Sequence, residues 1–158
     1  MAFGTLSVKG RALRYLAQRE HSRAELERKL ARHVKDSADA SAAEQIATAL
    51  DELGAHGLIS EARVAESVLA SQASRFGARR LRQTLQAKGL APALVAATLQ
   101  QARGTELERA RELWRRRFGA PPADAAERAR QMRFLAGRGF EGDVIRRVVR
   151  GLQDDPDL

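Results

Sequence analysis

One short stretch occurs twice in the chain, as Leu85-Gln-Ala-Lys-Gly-Leu90 and, fifty residues later, as Leu135-Ala-Gly-Arg-Gly-Phe140. Each copy places a basic residue and a glycine where a helix-like segment stops, a combination that commonly ends helices. The apolar positions downstream keep the same offset: they are Leu94, Val95 and Leu99 in one copy and Val144, Ile145 and Val149 in the other. The sequence therefore predicts an internal helical repeat.

The chain as a whole has the composition and periodicity of a helical protein. Ala, Leu, Arg and Glu, all good helix formers, dominate, and only four of the 158 residues are Pro. Apolar residues recur at intervals of three and four, in nine segments of about 10 to 15 residues. Helix starts are indicated by three predicted capping boxes and by two further residues: Ser22–Glu25, Ser41–Glu44, Thr105–Glu108, Ser60 and Pro92. We therefore predict an all-α protein with nine helices and no sheet.

The nine helices group into three predicted repeats of three helices each. Arg75-Phe-Gly77 matches Arg117-Phe-Gly119 at a shorter offset, which places an insertion of about eight residues near Ala120–Glu127. The first repeat is less similar and needs extra residues near Lys35–Ala40. Such small units stabilise one another by stacking, so an elongated array is expected. The predicted repeats span residues 1–59, 60–103 and 104–153, followed by an acidic tail at 154–158.

The chain is strongly basic, and its positive charge is concentrated in the middle of the sequence. Lys and Arg number 28 against 20 Asp and Glu, and residues 61–103 carry +5 of the net charge of +8. Most of the basic residues are Arg, whose guanidinium group binds phosphate and carboxylate through paired hydrogen bonds. This surplus favours a polyanionic partner such as nucleic acid. A compositional preference for Arg and Ala is the alternative explanation.

Two groups of basic residues are the candidate binding residues. The larger group surrounds the second helix of the middle repeat and comprises Arg75, Arg79, Arg80, Arg82 and Lys88. Positions 75, 79 and 82 have the spacing of one helix face. The smaller group ends a helix, where cations also interact favourably with the helix dipole, and comprises Arg115, Arg116 and Arg117. A solvated helix face without a partner is the alternative for both groups.

No residue pattern indicates catalysis, a metal or a cofactor. Without cysteine the chain has no thiolate nucleophile or Cys-ligated metal. The three histidines lack metal-site spacing, and no phosphate-binding glycine loop occurs. Glu25 and Lys29 are predicted to form a surface ion pair at helical spacing. Aromatic residues such as Phe76, Phe118 and Phe134 could stack on bases, although most aromatic side chains are expected to fill small cores. We predict a protein that is not an enzyme.

No segment is predicted to enter or cross a membrane. The sequence contains no apolar run approaching the roughly 20 residues of a membrane helix. Met1–Gly10 lacks the apolar core of a signal peptide. We therefore expect a cytoplasmic protein with no membrane partner.

Three stretches resemble the RecX family of regulatory proteins. They are Ala12–Leu30, Leu53–Ala65 and Arg133–Phe140, and the similarity extends over about residues 8 to 152. Two departures are visible: Glu61 stands where the family usually has Asp, and Arg replaces much of the usual Lys. The first change still suits a helix start, and the second keeps the charge but alters the geometry.

The resemblance implies tandem three-helix, helix-turn-helix-like repeats that bind in the deep groove of the RecA–single-stranded-DNA filament. It further implies that the protein inhibits the ATPase, strand-exchange and coprotease activities of RecA, and so acts in homologous recombination, DNA repair and the SOS response. We expect a monomer that binds single-stranded or duplex DNA alone only weakly. The alternative is a general nucleic-acid-binding module acting without RecA, for which tight, steeply salt-dependent binding to naked DNA is expected.

Overall fold

The computed structural model describes residues 5–150, which form nine α-helices and no strand. The helices are α1 (Val8–Gln18), α2 (Arg23–Ala31), α3 (Ala42–Ala55), α4 (Glu61–Gln72), α5 (Ala78–Ala87), α6 (Pro92–Arg103), α7 (Glu106–Arg117), α8 (Ala125–Gly137) and α9 (Gly142–Val149). The predicted all-α class is confirmed for this part of the chain. None of the described helices is long and apolar enough to cross a membrane. The predicted acidic tail at 154–158 lies outside the described residues.

Two of the three predicted capping boxes are present. Ser22 and Ser41 each accept a hydrogen bond from the third backbone N–H of their helix. In return, the backbone N–H of each serine donates to the carboxylate of the glutamate three residues later. This arrangement satisfies donors that a helix start otherwise leaves unpaired. The predicted box at Thr105 is wrong, because its side chain makes no capping bond and its hydroxyl oxygen lies 3.1 Å from Arg109 Nε, which donates to it.

The backbone structure follows the fifty-residue sequence repeat. Helix α5 ends at Ala87 and α8 at Gly137, while α6 begins at Pro92 and α9 at Gly142. Both intervening turns contain a glycine at positive φ, 69° at Gly89 and 84° at Gly139. Glycine adopts this conformation without the steric cost that a side chain adds. The two matching stretches therefore form the same helix–turn–helix element.

The described helices divide into two compact units. Of the described residues, the first unit contains residues 5–67 together with Ala87–Ala91, and the second contains Val68–Gln86 and residues 92–150. Helices α1, α2 and α3 pack on one another in the first unit, and α7, α8 and α9 in the second. The boundaries of three repeats at residues 59 and 103 stay a prediction.

Each unit has its own apolar core. The core of the first unit consists of Ala12, Leu26, Leu30, Ile46, Leu50 and Leu53. The core of the second unit around α9 consists of Ala110, Trp114, Leu135, Phe140, Val144, Ile145, Val148 and Val149. Trp114 and Phe140 are thus core residues, and Trp114 Nε1 donates to Gln131 Oε1 at 2.8 Å. Pairing this buried N–H avoids the cost of an unsatisfied donor.

Candidate functional site

Two turns of the second unit meet through their backbones. Gly77 N donates to Arg138 O at 2.9 Å, and Arg79 N donates to Gly139 O at 3.0 Å. A Cβ placed on Gly77 would lie only 2.5 Å from Phe140 Cα. Glycine is therefore required for this approach. Because Gly77 precedes α5 and Arg138 follows α8, the contact joins two regions that are sixty residues apart in sequence.

Glu106 at the start of α7 holds this contact together. Its buried carboxylate oxygen Oε1 accepts from Ala78 N at 3.2 Å and from Glu141 N at 3.3 Å. One carboxylate therefore satisfies backbone donors at the starts of both α5 and α9, where negative charge also favours the helix dipole.

Arg109, one turn further along α7, fixes the turn that contains Phe76. Its guanidinium group donates to three backbone carbonyls, those of Ala73, Phe76 and Ala102. Burial lowers the pKa of Arg109, and the nearby negative charge of Glu106 opposes this effect. The carbonyl bonds satisfy a partly buried cation and order the segment between α4 and α5.

Arginine side chains lie over phenylalanine rings around the joined turns. We call this set the arginine–phenylalanine surface: Phe76, Phe118, Phe134, Arg75, Arg80, Arg117, Arg130 and Arg138. At one end, the guanidinium carbons of Arg75 and Arg80 lie 5.3 and 4.9 Å from the centroid of the Phe76 ring. Arg138 lies 6.0 Å from Phe76 and 5.3 Å from Phe134, so it connects the two rings.

The other end of the surface continues from Phe134. Arg117 lies 5.7 Å from the Phe134 ring, and Arg130 lies 5.6 Å from Phe118. The two rings meet edge to face, with centroids 5.5 Å apart. Attraction to the ring faces restricts the conformations of these arginine side chains before a partner binds. Less side-chain entropy is then lost on binding.

Most of the predicted arginines are free of internal carboxylate partners. Within residues 5–150, no ion pair involves Arg75, Arg79, Arg80, Arg82, Arg117 or Arg138. Glu112 pairs with Arg115 and Arg116 at 3.7 and 3.1 Å, and Glu127 pairs with Arg130 at 3.4 Å. The surface therefore retains most of its positive charge for an external anion.

The structure brings members of both predicted groups together in one unit. Arg75 and Arg80 connect through Arg138 to Arg117. Arg79 and Arg82 are exposed on α5. The sequence reasoning missed Arg138 and Arg130 as site residues. Arg138 was visible only as the basic residue of the repeated turn.

Lys88 belongs to the first unit, whereas these arginines belong to the second. Its Nζ lies 3.3 Å from Glu25 Oε1, and 19% of its side chain is exposed. Its backbone carbonyl accepts from Ser22 Oγ, and Arg28 Nη2 donates to the neighbouring carbonyl of Ala87 at 2.7 Å. Within residues 5–150, Lys88 thus has a carboxylate partner that the predicted arginines of α5 lack, and its role in binding stays a prediction.

Glu25 is a buried charge rather than half of a surface ion pair. It is 8% exposed and accepts from Arg19 Nη2 at 2.7 Å and Ser22 N at 3.2 Å. Burial alone raises the pKa of Glu25, but these hydrogen bonds and the charge of Lys88 outweigh it and lower the pKa to about 2. The predicted surface pair with Lys29 is therefore wrong, and Lys29 Nζ instead lies 2.8 Å from His21 Nε2.

Acid should destabilise the first unit through Glu25. The pKa of Glu25 is about 2 in the folded chain against an ordinary value of 4.5, so its contribution to stability is complete above pH 4.5 and is lost as the pH falls towards 2. The contribution is up to about 3 kcal/mol. Urea unfolding of the wild type and Glu25→Gln between pH 7 and 3 should show a flatter pH dependence in the variant. Glu44→Gln, which alters the exposed capping box of α3, should change the pH dependence less. Equal pH dependence in wild type and Glu25→Gln would contradict the prediction.

Together, the fold and the site define a helical-repeat protein that presents a basic, aromatic-backed surface. Within the described residues, no group of His, Asp and Glu could hold a metal ion. Two family profiles match the chain: the second three-helix domain of RecX over residues 60–99 and the third over residues 105–149. The chain belongs to the RecX family of regulatory proteins.

Similar proteins cover nearly the whole chain. The regulatory protein RecX of Leptothrix cholodnii is 58% identical over 145 residues, which cover 92% of this chain and 88% of the relative. The regulatory protein RecX of Ralstonia nicotianae is 45% identical, with 96% and 94% covered. The crystal structure of RecX from Lactobacillus salivarius has the same fold, with a TM-score of 0.71 at 21% identity and 90% and 92% covered. The family resemblance read from the sequence is confirmed.

Proposed function

We propose that this protein binds the RecA–single-stranded-DNA filament and lowers its ATPase, strand-exchange and coprotease activities. It does so in the cytoplasm, as a monomer, without catalysis or a cofactor of its own, and thereby regulates homologous recombination, DNA repair and the SOS response. Membership of the RecX family supports this role. The structural observation that supports it best is the arginine–phenylalanine surface.

This surface has the chemistry that a nucleoprotein filament requires of a ligand. Guanidinium groups donate paired hydrogen bonds to phosphate and carboxylate oxygens, and these charge-assisted bonds are stronger than neutral ones. Arg75, Arg80 and Arg138 meet around a single ring, Phe76. A groove in a filament presents phosphates of the DNA strand beside protein side chains, and charges inside it are screened less than exposed charges. A concentrated, ordered group of arginines is suited to that setting.

A general nucleic-acid-binding module is the second candidate. The same arginines suit the phosphates of a naked single strand, and the partly buried Phe76, Phe118 and Phe134 rings offer apolar surface to its bases. The two candidate functions are distinguished by measuring the affinity of the protein for the filament, for RecA alone and for DNA alone, across a range of salt concentrations. The proposed function requires much tighter binding to the filament and inhibition of its ATPase at near-stoichiometric amounts. Unchanged ATPase at excess protein, with filament binding absent, would leave only the nucleic-acid module.

Reversing two charges on α5 should weaken filament binding without unfolding the protein. Arg79 and Arg82 are exposed and make no ion pair within the described chain, so Arg79→Glu with Arg82→Glu should leave the melting temperature nearly unchanged. Filament affinity should fall by about tenfold or more, because the variant places carboxylates against an anionic partner. The salt dependence of binding should also become shallower. Fluorescence anisotropy of labelled filament at several salt concentrations measures both effects.

Arg115→Glu with Arg116→Glu is the matched control. It changes the net charge equally, but Glu112 already pairs with both arginines. A smaller loss of affinity is expected. Full filament affinity at low salt in the folded Arg79→Glu/Arg82→Glu variant would exclude this face, and Arg115, Arg116 and Arg117 would become the primary candidates.

A further inference from the structure

An open groove lies on the second unit, between the last turns of α7 and α8. Its volume is about 440 Å³, and it is lined by Leu113, Arg116, Arg117, Phe134 and Arg138. Leu113 and Phe134 are partly buried and pack against the core of this unit, so they form an apolar floor. A ligand that fits this groove combines an apolar group with negative charge.

Two of the three arginines of the groove have no carboxylate partner within residues 5–150. Arg116 pairs with Glu112, but Arg117 and Arg138 make no ion pair in this part of the chain. Their guanidinium carbons lie 5.7 and 5.3 Å from the centroid of the Phe134 ring. Each guanidinium group has the donors for two parallel hydrogen bonds to a carboxylate. The groove therefore offers two ordered carboxylate-binding groups beside an apolar floor.

The chain itself contains a segment with this chemistry shortly after α9. Leu152-Gln-Asp-Asp-Pro-Asp-Leu158 has three aspartates between two leucines and no basic residue. Proline fixes one backbone dihedral angle of the segment, which reduces the entropy that is lost on binding. The proposed function assigns this segment no role.

The segment is close enough in sequence to α9 to reach the groove. Helix α9 packs on both α7 and α8, and its last residue, Val149, belongs to the core against which Leu113 and Phe134 pack. Asp154 and Asp157 follow Val149 by five and eight residues. An extended chain of that length spans up to roughly 17 to 28 Å, whereas packed helix axes are only about 8–10 Å apart.

We propose that the segment Asp154–Asp157 binds in this groove of its own chain and competes there with the external anionic partner. Its carboxylates pair with Arg117 and Arg138, and a flanking leucine lies on the apolar floor. Because the segment is tethered, its effective concentration is high enough for weak ion pairs to keep the groove partly occupied. The occupied fraction lowers the affinity for the partner. The inference rests on the proposed function for the identity of that partner, but not for the contact itself.

A single spin label tests the contact directly. The chain has no cysteine, so Gln153→Cys provides a unique attachment site for a nitroxide. At low salt, the label should broaden the nuclear magnetic resonance signals of the Leu113 and Phe134 amides. The neutral-segment variant carries Asp154→Asn, Asp155→Asn and Asp157→Asn. Broadening should be much weaker in this variant, and also in the acidic chain at high salt, because salt screens exposed ion pairs.

Two outcomes of this measurement would overturn the inference. Equal broadening in the acidic and the neutral-segment chains would show that the label reports only the proximity of position 153 to α9. Equally strong broadening in a mixture, in which one copy carries the spin label and another is isotope-labelled, would show that the segment of a second copy occupies the groove.

Competition is tested with a short single-stranded oligonucleotide as the anionic probe. At low salt, the neutral-segment variant should bind this probe about fivefold more tightly than the wild type. The matched control carries Asp39→Asn, Glu66→Gln and Glu108→Gln, which neutralise three exposed carboxylates that make no ion pair within residues 5–150. The control should gain less affinity, although its net charge changes equally. Equal gains would refute competition at the groove. Neither measurement uses the filament, so this inference and the proposed function fail separately.

Discussion

Replacing Gly77 with alanine should separate the two joined turns of the second unit and weaken filament binding. The added Cβ would lie 2.5 Å from Phe140 Cα and 2.6 Å from Gly139 O and from Phe140 N. These are backbone atoms, which cannot rotate away as the end of a side chain can. Forcing extra atoms into a packed site costs about 1–3 kcal/mol, occasionally more.

The loss of binding follows from the position of Arg138. Its carbonyl accepts from Gly77 N, and its guanidinium group connects the Phe76 and Phe134 rings. Separating the turns moves Arg138 away from Phe76 and divides the arginine–phenylalanine surface. Helix content by circular dichroism should be retained, while urea unfolding and filament anisotropy should report lower stability and lower affinity.

Gly137→Ala is the matched control in the same unit. A Cβ at Gly137, the last residue of α8, would meet no atom within 4 Å. Alanine within a helix is more favourable than glycine by roughly 0.5–1 kcal/mol, so stability should stay constant or rise slightly. A folded Gly77→Ala protein with wild-type stability and wild-type filament affinity would show that the joined turns do not support the binding surface.

Leu85→Ala and Leu135→Ala should each destabilise the protein by about 2–5 kcal/mol. The two leucines occupy equivalent positions of the fifty-residue repeat, and both are fully buried, with 0% of their surface exposed. Truncation removes apolar contacts and leaves a cavity that the surrounding helices fill only in part. Thermal and urea unfolding measure the loss.

Leu13→Ala and Leu58→Ala test whether burial is the cause. These leucines are 39% and 42% exposed, so the same chemical change should alter stability within about 0.5 kcal/mol. If Leu85→Ala and Leu135→Ala both left the melting temperature unchanged, the proposed equivalence of the two repeat positions would be wrong.

The sequence by itself determined the local structure. The three- and four-residue spacing of apolar side chains indicated the nine helices, because a helix of 3.6 residues per turn places those positions on one buried stripe. Ser22 and Ser41 marked helix starts, and the glycines at 89 and 139 marked turns. These signals were readable because each depends on residues within one turn of one another. The predicted capping box at Thr105 does not form, because the hydroxyl oxygen of Thr105 accepts a hydrogen bond from the guanidinium group of Arg109 instead.

Only the tertiary structure decided which basic residues act together. The sequence placed Lys88 beside the α5 arginines, but folding gave Lys88 the buried partner Glu25. The α5 arginines form no ion pair with any carboxylate in residues 5–150. Folding also brought Arg138 onto the Phe76 ring across sixty residues of chain. The close backbone approach at Gly77 and the buried carboxylate of Glu106 produce no periodic pattern in the sequence, because both depend on how the helices pack against one another. The charge was therefore visible in the sequence, whereas its arrangement into a surface was set by the contact at Gly77.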